Sequence, residues 1–122
     1  FSLSSPTLVL WKTKGMSIQE FVNIPDNITP VPGSSIDNVV KVPYEWVYDA
    51  VEVFDARSAN NSKRLAPSAD AGYVLQTDVF LGHSLMRHFD KEASAASGYE
   101  VLTDTNNSLN DFYESEKQSL HE

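Results

Sequence analysis

Apolar residues in this chain come in short runs, each cut off by turn-forming residues before it reaches helical length. Thr7 to Trp11 is such a run, and Lys12-Thr13-Lys14-Gly15 ends it with residues that favour a turn. This predicts a strand and a hairpin into Ile18 to Ile24, where Ile18, Glu20, Val22 and Ile24 share one face and Gln19, Phe21 and Asn23 the other. Pro25, Pro30, Pro32 and Gly33 break any regular element, so residues 25 to 35 read as an exposed connection. Val39 to Val42 is a further short run, closed by Pro43.

Trp46 to Phe54 carries the strongest strand pattern. Val47, Val51 and Val53 fall on one face with Asp49, while Trp46, Tyr48, Ala50 and Phe54 fall on the other with Glu52. Bulk on both faces predicts a strand inside a packed sandwich. Residues 55 to 72, with Pro67, Gly72, Lys63 and Arg64, form a second long loop. Tyr73 to Leu75, Gly82 to Phe89 and Tyr99 to Thr103 add strand-like runs, and residues 90 to 98 connect the last two. Met86 to Ala96 holds good helix formers but no clean apolar face. Leu109, Phe112, Tyr113 and Glu116 have helical spacing behind Ser108, a candidate N-cap, so that stretch reads as helix or strand. Long proline-bearing loops and no convincing helix elsewhere predict an all-β sandwich.

A chain of 122 residues with 41% hydrophobic composition is about one domain in length, and a domain of that size buries roughly 65% of the surface its unfolded chain exposes. Cysteine is absent, which removes disulfides and thiolate metal sites. Nine basic against seventeen acidic residues give a net charge of −8, and no basic patch suited to nucleic acid is present. The run Leu8-Val9-Leu10-Trp11 is far shorter than the roughly 20 residues of a membrane-spanning helix. From Phe1 the chain opens with neither a charged n-region nor an apolar h-region, so it is expected to be processed or truncated.

Candidate chemistry is sparse. Asp104, Asn106 and Ser108 have the oxygen spacing that opens a calcium loop, but Leu109 stands where such loops need glycine and Ser115 where they need glutamate. Asx turns that clamp the loop after Thr103 are the stronger reading, with Asn107 and Asp111 in the same structural unit. His83 and His88 are five apart and converge on one metal in neither a strand nor a helix. His83-Ser84 lacks the nucleophile elbow of a hydrolase, and adjacent strand residues face opposite ways. Asp49 and Glu52 also point to opposite faces, and one of them, with Asp49 favoured, is expected to pair with Arg87 or Arg64. Trp11, Trp46, Tyr48 and Tyr73 read as core before they read as a sugar or peptide platform. No catalytic, cofactor or metal residue is predicted.

Pro43 with Trp46-Val47-Tyr48-Asp49-Ala50-Val51-Glu52, then Lys63-Arg64-Leu65, Asp70-Ala71-Gly72-Tyr73-Val74, Gly82-His83-Ser84-Leu85-Met86-Arg87, Asp104-Thr105-Asn106-Asn107-Ser108 and Asp111-Phe112 follow one another in an order that carries information. Over roughly residues 39 to 120 the chain resembles a lamin-tail-like domain family of unknown function found in bacterial outer-membrane lipoproteins. The resemblance implies an immunoglobulin-like β-sandwich, exported and held at the cell surface by a lipid on an upstream cysteine. It also implies that residues 1–122 form a single domain or the C-terminal portion of one, with an open sheet edge unless another segment pairs with it. Such lipoproteins are commonly encoded beside TonB-dependent receptors. The function expected from this is a non-enzymatic interaction module in an uptake assembly, with a structural or adhesive envelope protein as the alternative and a metal-dependent enzyme a distant third. Its partners would be a TonB-dependent receptor, other outer-membrane lipoproteins or an N-terminal segment of the same protein, contacted through loops 25 to 35, 55 to 72 and 90 to 98. In such a protein the N-x-S/T triplets at Asn27, Asn60 and Asn106 are chance.

Overall fold

A computed structural model describes residues 7–117, so residues 1–6 and 118–122 of the expected domain lie outside the described residues. The chain divides into two compact units, one of Val9–Asp49 and a larger one that takes the chain up to Leu8 and from Ala50 onward.

In the smaller unit the apolar run at the start forms strand β1 (Thr7–Trp11), and Gly15 turns the chain at φ +81°. The expected hairpin does not follow. Ile18–Val22 is a short helix, α1, because Ser17 and Glu20 form a capping box. The Ser17 hydroxyl accepts the Glu20 N–H at 3.2 Å, and the Glu20 carboxylate accepts the Ser17 N–H at 2.7 Å. The alternating pattern had assigned Phe21 to the polar face, yet Phe21 is 2% exposed while Ile18 is open to solvent. Its ring sits between Trp11 at 5.4 Å and Trp46 at 5.1 Å, which makes this aromatic trio the centre of the unit.

Part of the expected connection at 25 to 35 is also structured. Pro25–Asn27 is one 3-10 turn, and β2 (Ile28–Pro30) pairs antiparallel with β3 (Asn38–Val40), with Thr29 opposite Val39. A second 3-10 turn, Tyr44–Trp46, leads into the long strand β4 (Val47–Asp55), and the Lys12 N–H donates to the Trp46 carbonyl at 3.1 Å.

The larger unit is built on the far end of β4. It pairs in parallel with β5 (Val74–Gln76), Val53 opposite Val74 and Asp55 opposite Gln76, so the sheet runs β1-β4-β5. A parallel pair needs a crossover, and residues 56–73 supply it as a loop without a helix. A separate antiparallel pair is made by β6 (Ser84–Arg87) and β7 (Phe112–Ser115), with Leu85 opposite Glu114. Ala50, Val53, Phe54, Ala69 and Val74 are the buried apolar residues.

Between β6 and β7 the chain departs from expectation twice. Residues 90 to 98 are mostly helix α2 (Lys91–Ser97), not a loop. The Asp90 side chain accepts the Ala93 N–H at 2.9 Å and Gly98 closes the far end at φ +74°, so caps and propensity form a helix that buries no residue. The run Tyr99 to Thr103 makes one antiparallel bridge, Leu102 to Phe89, in place of a strand. Helix α3 is a single turn, Ser108–Asp111, capped by Asn107 and not by Ser108. Phe112 then turns extended, so Phe112 and Tyr113 lie in β7.

Strands dominate and the longest described helix has 7 residues, which makes the fold all-β in class. No described helix is long and apolar enough to cross a membrane.

Candidate functional site

The period-two alternation of β4 sends its two faces to different tasks. Glu52 points away from Val51 and Val53 and is fully buried. Its carboxylate accepts from Lys63 Nζ at 2.8 Å, from the Arg64 N–H at 2.7 Å and from the Leu65 N–H at 3.4 Å. One buried side chain therefore pins the middle of the 56–73 crossover to the sheet.

Beside it lies a second buried acceptor, Asp70. It takes the N–H groups of Glu52 at 3.2 Å, Gly72 at 3.0 Å and Ser108 at 3.0 Å, and the Ser108 hydroxyl. Burial alone would raise the Asp70 carboxyl, but the Ser108 hydroxyl and the three N–H donors outweigh it and hold the group below the usual carboxylate range. Asp111, also buried, accepts the Thr105 N–H and hydroxyl, the latter at 2.7 Å. The Ala71 N–H donates to the Asn106 carbonyl at 2.8 Å, and Asn106 Nδ2 to the Pro67 carbonyl at 3.1 Å. These contacts lock the Asp70 and Asp104–Asp111 segments into one polar centre.

The other face of β4 opens onto a cavity of about 680 Å³ within the larger unit. Val51, Val53, Leu85, Phe112, Val79 and Phe80 give it apolar walls, while Asp55, Gln76 and His83 add polar groups. Phe80 stands at its mouth, 79% exposed and with φ +73°, a backbone region that a bulky side chain rarely adopts. The Arg57 guanidinium lies 5.4 Å from the Phe80 ring centre and also forks onto Asp55, with Nη2 at 3.0 Å. That fork holds the Asp55 carboxyl below its ordinary range.

His83 adjoins two carboxylates. Its Nδ1 is 3.3 Å from Glu114 and 3.8 Å from Asp78, and the side chains of His83 and Glu114 are mostly buried. Burial pushes the Glu114 carboxyl up, but the Thr77 hydroxyl at 2.6 Å, the N–H groups of Thr77 and Asp78 and the His83 ring hold it below the usual value.

The structure distributes the sequence candidates as follows. Asp104 accepts the Asn106 N–H in an Asx turn, Asn106 reaches Pro67, and Ser108 donates to Asp70, so these three side chains have separate partners and surround no common point. Asn107 caps α3 and Asp111 anchors Thr105. Arg87 lies 4.7 Å over the Phe112 ring, and Asp49 is half-buried on the Val51 face of β4. The fully buried carboxylate of that strand is Glu52, paired to the ammonium of Lys63 and to the backbone, not the side chain, of Arg64. His88 stacks on Tyr113 at 4.7 Å and is not among the clustered donors around His83, and the Ser84 hydroxyl donates to the Lys117 carbonyl, not to His83. Trp11 and Trp46 flank Phe21, Tyr73 stacks on Phe54 at 4.4 Å and Tyr48 is exposed. Sequence reasoning missed the Asp70 acceptor and the Asp78–His83–Glu114 cluster. Only the order of the Asp70-Ala71-Gly72 and Asp104–Asp111 segments signalled the first, and nothing local signals that Glu114 folds back to residue 77.

A family model described as "Protein of unknown function (DUF4876)" matches residues 1–119. Among solved structures the chain is similar to the crystal structure of a DUF4876 family protein from Bacteroides thetaiotaomicron, with 28% identity and a TM-score of 0.70. The similarity covers 88% of this chain but 30% of that one, so this chain spans less than a third of that protein's length. No curated protein matches.

Proposed function

Because the chain belongs to the DUF4876 family, whose function is unknown, we propose that it is a non-enzymatic interaction module of a bacterial surface lipoprotein, accessory to a TonB-dependent outer-membrane uptake complex. The observation that carries this reading is the apolar cavity beside β4, with Phe80 at its mouth. Concave apolar walls with a few polar groups are what a ligand or partner side chain fills. Phe80 keeps a strained backbone while exposing its ring, a combination that costs stability and leaves most of the ring open to a partner.

The carboxylates Glu52, Asp70 and Asp111 favour binding over catalysis, since each is occupied in accepting hydrogen bonds that hold loops in place. The fold that goes with this reading is the immunoglobulin-like, lamin-tail-like sandwich, completed by strands from the rest of the protein, exported and tethered through an upstream lipid. The partner in this reading is a TonB-dependent receptor that places an apolar side chain against Phe80.

The test is capture of the full-length protein from its native membrane in mild detergent, with mass spectrometry of what accompanies it. Wild type should bring down a TonB-dependent receptor, and Phe80→Gly should recover several-fold less. Recovery of no receptor, or equal recovery by the variant, removes this reading and favours a structural envelope role.

A further inference from the structure

We propose that Asp78, His83 and Glu114 form a binding site for one divalent transition cation of the zinc class. This goes beyond the interaction-module reading and stands without it. Their donor atoms lie within 4.8 Å of one another and come from two separate parts of the chain, the segment after β5 and strand β7. A metal about 2.0–2.1 Å from each ligand of a tetrahedron separates the ligands by roughly 3.3–3.4 Å. His83 Nδ1 stands 3.3 Å from Glu114 Oε1 and 3.8 Å from Asp78 Oδ2. The His83–Glu114 separation already fits, and the exposed Asp78 carboxylate, within 4.8 Å of both, has to close in to give three protein ligands with a fourth position open.

The donor set decides the class of ion. One imidazole with two carboxylates suits zinc and its neighbours, whereas calcium and magnesium take all-oxygen shells. The site is also supported from behind. Thr77 donates its N–H at 2.8 Å and its hydroxyl at 2.6 Å to Glu114 Oε2, and the Asp78 N–H donates to Oε1 at 3.1 Å. Outer hydrogen bonds of this kind fix the orientation of a ligating carboxylate. His83 also lines the β4 cavity, so a bound ion would sit at the rim of that cavity and tie together both ends of the turn that carries Phe80.

The experiment is calorimetric titration of the chelator-treated chain with zinc sulfate, and separately with calcium chloride. Expected is saturable zinc binding at one ion per chain, at least tenfold tighter than calcium. His83→Gln should weaken zinc at least tenfold. Asp78→Asn, at a side chain 52% exposed, should weaken it as well while leaving the metal-free melting temperature unchanged. Cobalt provides a second readout, with visible absorption in wild type that both variants lose. Absence of saturable zinc binding overturns the proposal, as does one-to-one binding that survives both substitutions, because the ion is then held elsewhere. If His83→Gln does not fold, Asp78→Asn and the cobalt spectrum decide the question.

Discussion

Gly72 lies so close beneath the Asn107 amide that a Cβ placed on the glycine would stand 1.9 Å from Asn107 Oδ1 and 3.1 Å from the Leu109 nitrogen. The requirement is for space, since this glycine does not occupy the left-handed region. Asn107 Oδ1 is itself held at 3.1 Å by the Leu109 N–H, whose turn it caps.

Gly72→Ala should therefore displace the cap and cost about 2 kcal/mol, the sum expected from modest overpacking and a lost N-cap. Urea denaturation at neutral pH measures it. In an Asn107→Gly background the same alanine should cost much less, because the atom it collides with is gone. Equal costs in both backgrounds would place the strain somewhere other than this contact.

Asp70 links stability to acid. Its folded-state carboxyl is held below the ordinary value, so its contribution is fully present above the unfolded carboxylate range and is lost as pH falls through the folded value. Thermal melts stepped downward from neutral pH should show stability falling once the pH drops below about 4, the usual Asp range. Asp70→Asn should be less stable at pH 7 by roughly 3 kcal/mol, as charged hydrogen bonds to buried donors are lost, and its melting temperature should fall less steeply with acid. An unchanged acid slope in the variant would assign the effect to other carboxylates.

Glu52 and Lys63 should prove unequal partners. Glu52→Ala leaves the Arg64 and Leu65 N–H groups without their acceptor and should cost about 3–5 kcal/mol. Lys63→Ala removes a partly exposed cation while both backbone donors remain, and should cost roughly 1 kcal/mol. Chemical denaturation of the two variants distinguishes this order from the reverse.

Phe80 should show a trade between stability and function. Phe80→Gly relieves a left-handed backbone and should stabilise the chain by about 1 kcal/mol. The same variant should lose receptor capture. A variant that melts lower than wild type would show that the ring contributes more to folding than its exposure suggests.

Strand β4 was the most legible part of this chain, since its alternation separated Val51 and Val53 from Glu52 and Phe54, and the structure uses those faces for the cavity and the buried polar centre. Helix α1 was misread because period-two alternation over Ile18 to Ile24 looked like a strand, while the decisive signal was the local pair Ser17 and Glu20. Helix α2 had its marks in Asp90 and Gly98, but with no apolar stripe the hydrophobic pattern could not show it. Asp70 and Ser108 meet across 38 positions, and Thr77 and Glu114 across 37, through tertiary packing that no local pattern encodes. The polar centre and the His83 cluster are therefore invisible as units in the sequence, although Asn106, Ser108 and Asp111 of the first stand out by their residue types and spacing.

The crossover between β4 and β5 also makes distant parts of the larger unit depend on one another. A parallel pair joined by a loop without a helix gains little from local structure, and its closure entropy must be overcome before Val53 finds Val74. Asp70 finds its Ser108 donors only after the distant turn at α3 has docked. The sheet and that turn are thus coupled through one carboxylate, because Asp70 accepts from Glu52 on β4 and from Ser108 at the start of α3.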